Sequence, residues 1–167
     1  MVISEAPSAK GGLGLHIGGL FSGLEGTSSD SFYQFFQFIS DTFKKNPYYA
    51  DVIKCGVDKQ KNKDKILKQR LPMCVSQFLL DEITAIKPHT IICSGNTAYD
   101  EIKSIQKNSN NEILKNADIK LLLHFSGSAQ LHLSMDDKKL IWKCQLGKLS
   151  PNEIRLSELS FFKNSSI

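Results

Sequence analysis

Lys87-Pro88-His89-Thr90-Ile91-Ile92-Cys93-Ser94-Gly95-Asn96-Thr97 is the stretch on which the fold turns. Proline disfavours helix in the residue before it, so a helix running up to Ile86 ends there. Thr90 to Ser94 is a short apolar run rich in β-branched residues and reads as a buried strand. Gly95-Asn96-Thr97 then turns the chain into a helix that runs to about Gln106. Helix, strand, tight turn and helix within some twenty residues is the repeating unit of a parallel α/β sheet.

The same order appears on both sides of this stretch. Upstream, Val2-Ile3-Ser4 is a short apolar strand that ends at Glu5-Ala6-Pro7, where proline stops ladder pairing. Seven of the chain's 11 glycines follow between Gly11 and Gly26. Asp30 or Ser31 then caps a helix with Phe32, Phe35, Phe36, Ile39 and Phe43 on one stripe. Ala50 to Ile53 is the second strand, followed by a lysine-rich loop. Leu71, Val75, Phe78, Leu79, Ile83 and Ile86 give the next helix, with Pro72 in its first turn. Downstream, Lys107 to Asn111 is a polar loop, Lys120 to His124 the fourth strand and Met135 to about Leu146 a further helix. Ser150-Pro151-Asn152-Glu153 is a capping box for a short last helix. The expected architecture is a three-layer αβα sandwich with a four-stranded parallel central sheet, one domain over residues 1–167. In such sheets the ligand crevice lies outside the carboxyl ends of the strands. That rule selects Glu5, the Asp51–Cys55 region, Ser94-Gly95-Asn96 and His124-Phe125-Ser126.

Composition narrows the function classes. The chain has 167 residues, 41% hydrophobic and 23% charged, and no apolar run long enough to span a bilayer. The first residues lack the basic and apolar regions of a secretory signal, so the expectation is a cytoplasmic or nuclear protein that is not secreted. Cys55, Cys74, Cys93 and Cys144 then read as reduced thiols. The net charge is +4, and it is concentrated: Lys54 to Arg70 holds seven basic residues against Asp58 and Asp64. This is either a solvated loop or an electrostatic footprint for phosphate backbone. The glycine loop fits neither a Walker sequence nor the dinucleotide fingerprint, which would need glycine at Ile17. The four histidines and four cysteines lack the close pairs of a zinc site, and no Gly-x-Ser-x-Gly elbow is present.

What remains is an ordered set of motifs. Ser4-Glu5-Ala6-Pro7-Ser8, Phe21-Ser22-Gly23, Asp51-Val52-Ile53-Lys54-Cys55, Cys74, Lys87-Pro88 with Gly95, and His124-Phe125-Ser126 resemble the family 4 uracil-DNA glycosylases. Members of that family carry Gly-Glu-Ala-Pro-Gly, Pro-Phe-Val-Gly, an Asn-Val-Val-Lys-Cys-like strand, Lys-Pro-x-x-Ile-x-x-x-Gly and His-Pro-Ser in this order. The resemblance runs from Val2 to about Leu146. It implies a DNA glycosylase of base excision repair, acting on single- or double-stranded DNA as a monomer without membrane contact, and flipping the target base into a pocket. It also implies roles. Phe21 would stack on the base, and His124 would hydrogen-bond its 2-carbonyl oxygen, where negative charge grows. Glu5 would orient water or stabilise the positive sugar. Asp51, with Ala6 and Ser126, would line the base site. Lys54, Lys59, Lys61, Lys63 and Ser128 would meet DNA, and Gln130 or Leu131 would wedge into the gap in the duplex. Each has a plain structural reading too: a loop cap for Glu5, core for Phe21, a hydrogen-bonded structural histidine for His124.

Three departures from the family pattern matter. Asp51 stands where the family has asparagine, whose amide both donates to and accepts from uracil; an ionised aspartate only accepts. A base with an amino group at that edge, as in cytosine, suits it better. The family's four-iron cluster is held by four cysteines, and Cys55 and Cys74 fall at two of those places. The other pair lies upstream of strand one, so the expectation is no cluster unless an upstream segment supplies it. Phe125 replaces the proline after the histidine. Two other readings stand beside the glycosylase: a catalytically weak relative that binds nucleic acid or a protein partner, and a nucleotide-binding enzyme that shares only the layout.

Overall fold

The computed structural model describes residues 1–5, 28–53, 63–125 and 133–150. Four strands form one parallel sheet: β1 (Val2–Ser4), β2 (Tyr49–Asp51), β3 (Thr90–Ser94) and β4 (Asp118–Leu122). Their spatial order is β2-β1-β3-β4, so the first strand lies inside the sheet and pairs on both sides. Val2 to Ser4 register with Tyr49 to Asp51, and Val2 and Ile3 with Ile92 and Cys93. Pairing continues past the strand end, with Val52 N donating to Ser4 O (2.8 Å) and Ile53 N to Glu5 O (3.0 Å).

Helices cover both faces, which is why the strands read as unbroken apolar runs. Helix α1 (Ser28–Phe43) and the helix that follows β4, described below as α6 (Met135–Gln145), share one face. There Phe35, Phe38 and Ile39 pack with Trp142 against Val2, Ile92 and Leu122. The opposite face holds α2 (Lys63–Cys74), α3 (Leu80–Ile86), α4 (Asn96–Asn108) and α5 (Glu112–Asn116). Their Cys74, Ile83, Ala98, Ile102 and Leu114 enclose Ile3, Ala50, Ile91 and Cys93. The expected three-layer αβα sandwich is thus present. No helix among the described residues is long and apolar enough to cross a membrane.

Local differences from the sequence reading have physical causes. The lysine-rich loop is shorter than expected: Lys63 to Arg70 are already helical, and Pro72 sits well inside α2 rather than in its first turn. Between α2 and α3, Val75–Leu79 forms a π turn, closed by Leu80 N donating to Val75 O. Its extra residue lets Cys74 and Leu79, five apart, both point into the core, and Ile83 follows at four. A uniform helix would not do this, and the same phase shift leaves Phe78 and Ile86 exposed. On α1, Phe38 is buried and Phe43 is exposed, and the helix begins at Ser28, ahead of the expected cap. The second strand starts and stops a residue or two early, as does β4. Helix α5 was not expected. It is a single turn capped by Asn111, whose side chain accepts from Leu114 N, and Gln106 Nε2 donates to the Leu114 and Ala117 carbonyls. The short edge strand β2 has three residues, and the other edge, β4, carries a Lys120–Asp118 ion pair at 3.0 Å. The capping box at Ser150 to Glu153 leads out of the described residues.

Trp142 ties the first face together. It is fully buried, stands edge-on to Phe35 at 4.8 Å between centroids and donates its indole N–H to Leu123 O (2.8 Å). Trp142→Phe keeps most of the apolar contact but leaves that carbonyl unpaired. It is expected to lower unfolding free energy by about 1–3 kcal/mol in urea titrations, whereas Phe78→Ser on the exposed side should change it by less than about 0.5 kcal/mol.

Candidate active site

All four strands run the same way, so their carboxyl ends meet at one edge of the sheet. Glu5, Asp51, Gly95 and His124 lie on it. Glu5 follows β1 and, with Val52, Ile53, Leu71 and Thr97, lines a cleft of about 250 Å³. Two more charged groups share this cleft: Lys68 from α2 and Glu101 from α4. Burial, then the neighbouring charge of Asp100, hold the Glu101 carboxyl above the usual glutamate range. A cleft with carboxylates over an apolar floor can hold a water molecule and oppose a positive centre.

His124 lies two residues beyond β4, on the other side of the α4 amino terminus. It lines a smaller hollow, of about 170 Å³, with Gly95, Asn96 and Gln145. Among the described residues, Glu5 and His124 therefore occupy separate hollows flanking Gly95-Asn96-Thr97. Gly95 has φ +92°, and a Cβ there would meet His124 Cδ2 at 3.3 Å. Glycine suits both needs: it adopts the positive φ that turns β3 into α4 without strain, and it spares the imidazole a tight contact over the turn.

The segment carrying His124 is held by three side chains of α6. Trp142 takes the Leu123 carbonyl, Gln145 Oε1 accepts from Leu123 N (2.8 Å), and Lys138 Nζ donates to Phe125 O (3.0 Å). The His124 ring stacks on Phe125, centroids 4.4 Å apart and planes 24° from parallel. Phe125 in turn meets Phe32 at 5.1 Å and Phe35 at 5.6 Å. The phenylalanine in place of proline thus joins the aromatic core and gives the imidazole a flat support. Sequence reasoning missed Lys138, Trp142 and Gln145. Their helical spacing of four and three was a signal that they share a face, but nothing in the sequence said what that face meets.

Asp51 ends β2 almost fully buried, 5% exposed, on the α1 side of the sheet. Tyr49, two residues earlier on the same face, donates its hydroxyl to Asp51 Oδ1 (3.0 Å) and packs edge-on to Phe32. Register and alternation put Ser4 and Ser94 in the same row. Both are buried; the Ser4 hydroxyl lies against that of Tyr49, and the Ser94 hydroxyl has no hydrogen-bond partner among the described residues. Of the other expected site residues, Ala6, Phe21, Lys54, Cys55, Lys59, Lys61, Ser126, Ser128, Gln130 and Leu131 lie outside the described residues. Lys63 is the first residue of α2. His89 is exposed.

Of the two cysteines at the family's cluster positions, Cys74 is described and Cys55 lies outside the described residues. Cys74 is fully buried in the same apolar core as Ile53, Leu79 and Ile83. Cys93 belongs to β3 and is fully buried, its thiol pushed up to about 12 by burial, against the lowering effect of Lys103. Among the described residues no group of three or more His, Cys, Asp or Glu side chains is placed to hold a metal ion.

Burial, together with the charge of Asp51, pushes the Tyr49 hydroxyl well above the usual value near 10. A raised folded-state value means that the unfolded chain loses this proton first. Its contribution is full below about pH 10 and declines as pH rises above it. Stability measured by denaturant midpoint should therefore fall above about pH 10, and Tyr49→Phe should flatten that alkaline limb.

Comparison with protein families agrees with this geometry. The family model of the uracil DNA glycosylase superfamily matches residues 1–144, which takes in the whole sheet and nearly all of α6. Among curated proteins no relative matches the chain. A parallel four-stranded sheet with Glu5 and His124 at its carboxyl edge, matched over all but its last 23 residues, makes this chain a member of the uracil-DNA glycosylase superfamily.

Proposed function

We propose that the chain is a DNA glycosylase that hydrolyses the N-glycosidic bond of a flipped-out altered base, and that uracil is not its preferred base. The single observation that carries this reading is the residue set at the carboxyl edge of the sheet: Glu5 in an open cleft, and His124 on a rigid seat above Gly95. In this reading, the sugar–base electron pair leaves with the base as the bond breaks. His124 donates to the base oxygen where that charge gathers. Glu5 opposes the positive sugar and accepts the proton of the attacking water. The motifs of the chain are nearest to the iron–sulfur glycosylases, yet Cys74 is committed to the apolar core, and we take the protein to work without a cluster. Lys65 and Lys68 are exposed on α2, and with the lysines preceding them they would follow a phosphate backbone.

The preference against uracil rests on Asp51. An ionised carboxylate already accepting from Tyr49 presents acceptors to the base edge, so it repels the uracil 4-carbonyl and suits an amino group. The same substitution is what would favour the second reading, a relative that binds nucleic acid without cutting it.

Oligonucleotides with uracil, hypoxanthine, xanthine or an oxidised cytosine, followed by alkaline strand scission, test the reading. Abasic product is expected with at least one base other than uracil, lowered about 10²–10³-fold in Glu5→Ala and His124→Ala. Asp51→Asn is expected to raise uracil excision about 10-fold or more. No gain on uracil in that variant would refute the assigned preference. Tight, salt-dependent binding without product from any base would replace the enzyme with a binding protein.

A further inference from the structure

Lys138 is a buried cation for which the fold alone gives no reason. It is only 6% exposed, and among the described residues its ammonium donates to the neutral carbonyl of Phe125. Neither acid of its own helix turn neutralises it. Asp136 pairs with Lys139 at 3.8 Å, and Asp137 Oδ2 accepts from the backbone and side chain of Ser134 in the capping box. Among the described residues no carboxylate forms an ion pair with it. Its place is also unfavourable, since it lies in the first turns of α6, where the helix dipole is positive. A buried ammonium with no counter-ion among the described residues is costly, and methionine would fill the same volume without that cost.

Such a charge is kept where negative charge arrives. Lys138 reaches the peptide next to His124, so its ammonium stands one residue from the imidazole that would face the departing base. We propose that Lys138 is a positioning residue for base excision. By holding the Phe125 carbonyl it fixes the stacked His124–Phe125 pair, and its charge lowers the energy of the base anion at the moment it leaves. This rests on the glycosylase reading. It adds a buried cation on the His124 side of a site whose described charged groups, Glu5, Lys68 and Glu101, line the other cleft. The fixed charge acts in a water-poor setting, where it does not have to reorganise during the reaction.

Single-turnover excision by the full chain tests it, using K138M and K138R and two duplexes whose target bases differ only by an electron-withdrawing ring substituent. A fixed cation helps a poor leaving group more than a good one. K138M should therefore lose about 10–100-fold, with the larger loss on the less acidic base, and K138R should recover most of it. An equal loss on both bases makes Lys138 merely structural and overturns the proposal. So does a salt slope for binding a non-cleavable duplex that falls by about one in K138M, since that marks a phosphate contact. If K138M does not fold by circular dichroism, K138Q carries the same comparison. No product from the unmodified protein on any base overturns both readings together, whereas product with an equal loss overturns this one alone.

Discussion

Three residues, Val2 to Ser4, must pair with two strands at once and be buried on both faces, and the rest of the molecule follows from that. A strand so short contributes few hydrogen bonds, so its position is secured by neighbours in a single register. Val2 points to the α1–α6 side and Ile3 to the other, which leaves no freedom to slip by one residue. Glu5 is then delivered to the carboxyl edge beside Val52 and Ile53. The same register sets Ser4 beside Asp51, and the row of buried polar groups on that face is a direct result.

The two halves of the edge are built differently. On the Glu5 side the walls are helices α2 and α4, with charged side chains at the rim of a cleft. On the His124 side the support is aromatic and backbone-directed, with α6 gripping both residues that flank the histidine. Rotation of the imidazole is restrained by Phe125 below and by the close approach of Gly95. Pre-organisation of this kind means that little ordering is left to accomplish when a ligand arrives.

Much of the fold was legible because parallel strands covered on both faces leave a clear mark: Thr90 to Ser94 and Val2 to Ser4 are apolar runs bounded by proline and glycine. The placing of Glu5, Asp51 and His124 at the carboxyl edge was legible, since each ends or follows a strand. The phase shift at Val75–Leu79 was not, because a single added residue alters the burial of Phe78 without changing the local composition. Helix α5 is too short to show a period. Lys138 looked like any lysine in a polar helix start, and only the packing of α6 against the strand-four segment gives it meaning. The hydrogen bond from Tyr49 to Asp51 was hidden because the second strand was read as starting at Ala50, and the tie depends on both residues lying in one strand and facing the same way.

The short β2 and the ion-paired β4 bear on how this protein can meet other molecules. An open sheet offers unpaired backbone groups at its two outer strands, and these are the usual points for a second chain to add on. Here one outer strand is too short to template a neighbour, and the other carries Asp118 and Lys120 as charges that an incoming strand would have to desolvate. Growth of the sheet sideways is thereby discouraged. Both outer strands of the described sheet thus resist a second copy adding on in register.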